Sequence, residues 1–385
     1  MPFKEWSTMQ ARQEFVSLAS REGANVREVC RRFGVSPTTG YKWLARHAQE
    51  GLEGLREHSR RPEHSPQRTP ASVEQLILDL RDRHPAWGAR KLRTRLHRLG
   101  EGPLPCASTI QAILLRNGRI EPEQSKAHTP YQRFEHALPN SLWQMDFKGH
   151  FALQSGRCHP LTILDDHSRY SLCLQGLPHE QGESVQTQLR RVFQIYGLPA
   201  RMTMDNGSPW GDTLGSPFTP LTVWLLRLGV GVSHSRPYHP QTQGKDERFH
   251  RTLDQEVLSR NTFMNLLDAQ AAFDRWRMIY NHERPHESLD MQTPITRYRP
   301  SPRAFPETLP AIEYGPGDIV RKVADKGLIS YQGRQWRVSK AFKGYPVALR
   351  PAQRDGCLDV FFCQHRIAQI DQRTGLTSKP SRNIV

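Results

Sequence analysis

Along the first third of the chain, apolar residues recur every three to four positions, the spacing of amphipathic helices. Val26, Val29, Cys30 and Phe33 share one such face, and Gly34-Val35-Ser36 breaks it. Ser36 suits an N-cap and Pro37 a first helical turn, so a second helix is expected to carry Tyr41, Trp43 and Leu44. Gly40 counts against that helix, since glycine costs ~1 kcal/mol relative to alanine there. A helix, a short Gly-containing turn and a capped helix make a helix-turn-helix pattern over 1–55. Its outer face would offer Thr38, Thr39, Lys42 and Arg46 to a major groove; a small structural bundle is the plainer alternative. Residues 56–70, rich in Pro and Arg, read as a linker whose Arg60 and Arg61 can meet phosphates. A second helical unit is expected over 71–125: Val73 to Arg83, then Trp87 to Leu96, then Thr109–Arg116 capped by Ser108. Its basic residues Arg90, Lys91, Arg93, Arg95 and Arg98 cover more than one helical face, so only some can touch one duplex, and a solvated basic helix competes with that reading. Arg90, Lys91, Thr109 and Gln111 are the candidate contacts of this unit.

From residue 140 the period changes. Trp143–Leu153, His159–Leu164 and Ser168–Leu174 alternate like strands of an antiparallel meander. A helix over Glu183–Tyr196, a strand over Arg201–Met204, a helix over Thr219–Leu228, a strand over Gly231–His234 and helices over Lys245–Arg260 and Leu266–Tyr280 come next. The block 135–292 therefore reads as an α/β domain, three strands followed by alternating helices and strands. Prolines crowd 293–316, as in a linker, and short alternating segments over 317–372 suggest a small β-barrel.

Charge sharpens this plan. The net charge is +16. Basic residues outnumber acidic ones 12 to 8 in 1–70, 11 to 6 in 71–133 and 14 to 7 in 301–385, but stand 17 to 17 in 134–300. Basic flanks around a neutral centre suit a polyanion held at the edges and worked on in the middle. The six cysteines show no Cys-x-x-Cys or zinc spacing, so no zinc is expected and free thiols in a reducing compartment are. No apolar run approaches a membrane span and the N-terminus does not read as a signal peptide. A cytoplasmic, nucleoid-associated protein without a membrane partner is the expectation.

Three acids sit in distinctive phrases: Trp143-Gln-Met-Asp146, Asp205-Asn-Gly207 and Tyr238-His-Pro-Gln-Thr-Gln-Gly-Lys-Asp-Glu247. Carboxylates held together bind hard divalent cations, and a pair of such cations can clamp both oxygens of a phosphodiester exchange. With these phrases and this element order, 140–290 resembles the catalytic core of the retroviral-integrase and DDE-transposase superfamily. The greatest likeness is to bacterial insertion-sequence transposases. Tyr280-Asn-His-Glu-Arg-Pro-His-Glu-Ser-Leu289 is also similar to the segment after the core in those elements.

The resemblance implies a ribonuclease H-like fold, with Asp146, Asp205 and Glu247 as catalytic and metal-binding residues for two Mg²⁺ or Mn²⁺ ions. It implies nicking at transposon ends and joining of the freed 3′-OH to target DNA. Double-stranded DNA is then the partner, with terminal inverted repeats read by the helix-turn-helix units, and a homodimer or tetramer pairs two ends. Gln243, Lys245, Arg248 and Arg251 are expected to contact the DNA end. Asp165 and Asp166 read as turn residues, and Asp246 as pointing away from Glu247. Rival readings are a catalytically silent DNA-binding regulator and a metal-dependent nuclease.

The chain also departs from its relatives. It has no His/His/Cys/Cys zinc module. It carries Asp254 where they often have Lys or Arg seven residues after the glutamate. It is longer between Asp205 and Glu247, in the loop Pro209–Pro217, where Trp210 could either pack on the core or stack on a base.

Overall fold

The computed structural model describes residues 7–57, 68–120, 135–211, 216–234, 244–378 and 383–384. The chain divides into two compact units, Met1–Arg68 and Thr69–Val385.

In the first unit, α1 (Thr8–Ala19), α2 (Val26–Arg32) and α3 (Pro37–Glu50) surround Phe15, Val16, Cys30 and Trp43, and a 3-10 turn (Gly51–Leu55) adds Leu55. Ser7, Asn25 and Ser36 each cap a helix by accepting the backbone N–H three residues on. Gly40, which looked like a weakness, is required: a Cβ there would lie 2.4 Å from Cys30 Sγ and 2.8 Å from Phe15 Cζ. The glycine lets α3 approach α1 and α2 closely.

The second unit opens with three helices, α4 (Ala71–Arg83), α5 (Ala89–Arg98) and α6 (Ala107–Arg116), around Ile77, Leu80, Trp87, Leu92 and Ile110. The third begins earlier than expected. Its N-cap is Cys106, and Ser108 lies inside the first turn with its hydroxyl 3.0 Å from Cys106 Sγ.

The central sheet combines β1 (Trp143–Phe147), β2 (Phe151–Leu153), β3 (Gly156–Asp165), β4 (Ser171–Leu177), β5 (Arg201–Met204) and β6 (Gly231–His234). β4, β3, β1, β5 and β6 lie side by side in that order, antiparallel on the β4 side of β1 and parallel beyond it. A meander leading into parallel strands in this order is a ribonuclease H-like sheet. The expected single strand Trp143–Leu153 is two strands, because Lys148–His150, with Gly149 at φ +92°, turns the chain between pairing sites on β3. α7 (Gly182–Tyr196) and α8 (Pro220–Arg227) cover one face of the sheet through Leu189, Phe193 and Leu225. α9 (Gly244–Glu256) and α10 (Leu266–His282) cover the other through Phe249, Leu253, Phe273 and Trp276.

The proline-rich segment is not a free linker. Tyr298 stacks on Tyr170 at 4.4 Å, and the carbonyl of Arg303 accepts from Leu198 N at 2.7 Å. Extended proline-rich backbone leaves its carbonyls available to loop amides of the core.

The C-terminal domain is strand-rich. A five-stranded antiparallel sheet runs β7 (Ile319–Lys322), β10 (Pro346–Pro351), β11 (Cys357–Phe362), β12 (His365–Asp371), β13 (Leu376–Ser378). The hairpin β8 (Leu328–Tyr331) and β9 (Arg334–Arg337) lies against both β7 and β13, which gives the expected barrel-like closure. Its core is continuous with that of the central sheet, and Phe218 packs edge-on to Phe342 at 4.8 Å. β14 (Asn383–Ile384) pairs antiparallel with β6. No helix among the described residues is long and apolar enough to cross a membrane.

Candidate active site and nucleic-acid interface

The pairing register brings two of the three acids together. β1 and β5 are parallel, with Gln144 opposite Thr203. Two residues on from that pair, Asp146 lies in β1 and Asp205 just past the end of β5, at the carboxyl ends of adjacent parallel strands. Binding sites form at this edge of an α/β sheet. Glu247 arrives from the first turn of α9, which Phe249 and Leu253 anchor to the sheet.

Asp146 is pushed up to about 7, first by burial and then by the neighbouring acids Asp205, Glu180 and Glu247, while its hydrogen bond from Phe147 N (2.9 Å) works in the opposite direction. Asp246 is wholly buried, and burial followed by Asp146 raises it well above the ordinary carboxylate range. Among the described residues, no three His, Cys, Asp or Glu side chains already form a closed metal-binding cluster. The acids lie within each other's field without being drawn tightly together. Hard oxygen donors whose negative charges repel one another are a donor set suited to Mg²⁺ or Mn²⁺.

Several supporting residues were not legible as such. His234 is buried at the end of β6, its ring nitrogens 2.9 Å from the Asp205 carbonyl and 3.0 Å from that of Pro217, which fixes the backbone after β5. Thr162, opposite Asp146 on β3, donates to the Asp146 carbonyl at 3.0 Å, and its hydroxyl lies 2.8 Å from His250 Nε2. Burial holds His250 down at about 4. Asp165 and Asp166, taken as turn residues, are both buried. Asp165 accepts from Asn140 N (2.7 Å) and from the amide and hydroxyl of Ser168 (2.8 and 2.6 Å). Asp166 accepts from Gln144 Nε2 (2.8 Å) and His136 N (2.9 Å). Both brace the sheet beneath the site. Trp210 packs: it is 2% exposed and stacks on Phe147 at 5.6 Å.

The expected DNA contacts sort differently. Thr38, Lys42, Arg90, Gln111, Arg248 and Arg251 are exposed. Thr39 is half-buried, its hydroxyl 2.9 Å from that of Ser36, and Thr109 lies 3.2 Å from Cys106 Sγ. Arg46 leans on the Trp43 ring at 5.2 Å. Lys245 is turned inward: buried Asp166 needs a counter-charge, and Lys245 supplies it as an ion pair. Lys91 is half-buried on α5, the helix that Arg95 ties to Glu283. Arg60, Arg61 and Gln243 lie outside the described residues. At the unusual position Asp254, a cation comes from another element, with Lys148 Nζ 3.2 Å from Asp254 Oδ1.

Comparison with known proteins agrees with this architecture. Residues 136–240 and 228–294 match models described as integrase core domain, and 6–56 and 39–114 match models of homeodomain-like domains. Residues 318–377 match the C-terminal domain of IS481 family transposases. The chain thus carries homeodomain-like segments, an integrase core and a transposase-type C-terminal domain.

Among relatives, it is 25% identical over 231 residues to an uncharacterised protein of insertion element IS476 from Xanthomonas euvesicatoria, covering 58% of this chain and 64% of that one. It is 26% identical over 156 residues to an uncharacterised protein of insertion element IS407 from Burkholderia multivorans, covering 40% and 54%. The match therefore spans less than two thirds of either relative. Solved structures with a likeness include the HTLV-2 integrase catalytic core in complex with magnesium (16% identity, TM-score 0.32, 42% of this chain and 97% of that one). Another is a simian T-cell lymphotropic virus intasome bound to a PP2A regulatory subunit (17%, TM-score 0.37, 79% and 98%).

Proposed function

We propose that this protein is a DNA transposase that cuts the ends of a mobile element and joins them to target DNA. The observation that supports the reading is that β1 and β5 are adjacent parallel strands, with Asp146 in the one and Asp205 just past the end of the other. Asp146, Asp205 and Glu247 would hold two Mg²⁺ or Mn²⁺ ions. Such ions activate an attacking water or 3′-hydroxyl and neutralise charge on the leaving oxygen.

The chain's own part is placement. Phe147 N orients the Asp146 carboxylate, His234 fixes the backbone at Asp205, and Phe249 and Leu253 seat the helix that presents Glu247. Hydrolysis at the element's end yields a 3′-hydroxyl; attack of that hydroxyl on a target phosphodiester forms one such bond and breaks another. The exchange needs no covalent protein–DNA intermediate. The helix-turn-helix segments would read terminal inverted repeats, with Thr38 and Lys42 of α3 and Arg90 of α5 outward. Two ends processed together call for a dimer or tetramer.

The test is incubation of the full chain with Mg²⁺, a duplex bearing the element's terminal repeat and a supercoiled plasmid. Joined products are expected, falling to background in Asp205→Asn and Glu247→Gln while duplex binding persists. Full joining by Asp205→Asn would refute the mechanism. Duplex binding without any cutting by the wild type would favour the regulator reading, and cutting without joining the nuclease.

A further inference from the structure

Three polar residues of α9 stand four apart along one side of the helix: Asp246, His250 and Asp254. Each reaches the end of β1 that bears Asp146, directly or through Thr162. Thr162 of β3, wholly buried and opposite Asp146, donates its hydroxyl proton to the Asp146 carbonyl at 3.0 Å. A hydroxyl has one proton to give, so toward His250 Nε2, 2.8 Å away, the same oxygen accepts and the ring presents Nε2–H. Asp246 Oδ1 lies 3.5 Å from that oxygen. One turn beyond His250, Asp254 Oδ1 meets Nζ of Lys148, two residues past Asp146, at 3.2 Å. Packing alone would not select this seam. Phe249 and Leu253 of the same helix already bury apolar surface on the sheet. Asp246 is wholly buried, and its Oδ2 has no hydrogen-bond partner among the described residues. A carboxyl buried in that state is costly, and an apolar side chain would fill the place at lower cost. What the seam adds is registration, because hydrogen bonds are directional and apolar contact is not.

We propose that Thr162 is a positioning residue of the metal centre: its hydroxyl, bonded to Asp146 and His250, sets the helix carrying Glu247 at a fixed height along the strand carrying Asp146. Glu247 follows Asp246 directly and is exposed, so α9 is held by the inner acid while the outer one stays open to an ion. Carboxylates on separate elements capture a divalent ion only at the spacing its coordination shell allows, and Mg²⁺ is strict in that geometry. Without the hydroxyl, α9 keeps its apolar seat but loses its register, and the acids no longer stand at that spacing. This role rests on the reading of Asp146 and Glu247 as metal ligands; the hydrogen bonds to Thr162 do not.

The test is the affinity of the full chain for Mn²⁺ without DNA, together with the Mg²⁺ concentration that half-saturates joining. Thr162→Val keeps the shape and removes the hydroxyl, Thr162→Ser keeps the hydroxyl, and His250→Leu cuts the same tie from the helix side. Thr162→Val should bind Mn²⁺ roughly ten-fold more weakly and need correspondingly more Mg²⁺, with joining recovered at saturating Mg²⁺. Thr162→Ser should stay close to wild type in both. His250→Leu should weaken Mn²⁺ binding by a factor similar to that of Thr162→Val, and the double variant by no more than either alone, because both cut one tie. A threonine that only supports the sheet would lower the melting temperature and leave the Mn²⁺ affinity of the folded protein unchanged. That result, or losses that multiply in the double variant, would overturn the role. If Thr162→Val does not fold, His250→Leu decides on the same readout. Weakened Mn²⁺ binding in these variants, with a wild type that neither cuts nor joins DNA, would keep the positioning role and sink the transposase reading. Unchanged Mn²⁺ affinity and Mg²⁺ demand in the variants, with a wild type that joins DNA, would do the reverse.

Discussion

Single positions in this chain carry meanings that residue type alone does not disclose. Gly40 is the sharpest case. Glycine within a helix costs ~1 kcal/mol against alanine, so Gly40→Ala ought to stabilise α3 on propensity alone. The structure reverses the sign: the added Cβ would fall 2.4 Å from Cys30 Sγ and 2.8 Å from a Phe15 ring carbon, both buried. Overpacking of this kind costs roughly 1–3 kcal/mol. Thermal unfolding of Gly40→Ala should therefore show a loss, partly recovered when Cys30→Ala makes room; a gain in stability would mean that α1 and α2 can shift freely. Asp254 has a related lesson. Its charge broke the pattern expected after Glu247, yet Lys148 reaches it from the turn after β1, so a cation still stands at that face of α9.

At the level of elements, much was legible. The strands β5 and β6 and the cap of α3 follow from period and turn chemistry, and the three proposed acids stand in phrases that single them out. What was not legible depends on partners distant in sequence. The alternation of Trp143–Leu153 lapses only at Gly149, and pairing with two stretches of β3 shows that it makes two strands. Asp165 and Asp166 look like any Asp-Asp turn until Asn140, Gln144 and His136 are seen to donate to them.

Lys245 is the clearest instance. Its sequence context suggested a DNA contact, whereas Asp166, 1% exposed, claims it and so pins the start of α9 to the end of β3. Removing one partner of a buried ion pair costs about 3–5 kcal/mol. Lys245→Met should cost about that much in denaturant unfolding. It should also lower joining activity more than duplex binding, since what it releases is the turn bearing Glu247. Loss of binding with stability unchanged would instead return Lys245 to the DNA surface.

Across the whole molecule, the buried titratable groups oppose one another. His365, 4% exposed, is lowered to about 4 by burial and then by Arg303 and Arg201; burial also lowers His250 to about 4 and His286 well below its ordinary value. These rings are neutral in the fold, while the unfolded chain takes up protons near pH 6.5. Their contribution is full above about 6.5 and is lost as pH falls toward about 4, at most on the order of 3 kcal/mol for each ring shifted that far. Asp146, raised to about 7, runs the other way: the fold binds its proton before the unfolded chain does, so acidification from about 7 to about 4 favours the fold. The overall profile is the difference of the two, and a single melting curve cannot separate them. Paired variants can. His365→Leu removes a proton acceptor that only the unfolded chain uses, so its melting temperature relative to wild type should rise as pH goes from 7.5 to 4.5. Asp146→Asn, measured with divalent cations chelated, should be the more stable protein at pH 7.5 and lose that advantage by pH 4.5. If both variants track wild type across this range, the buried charges do not set its acid stability.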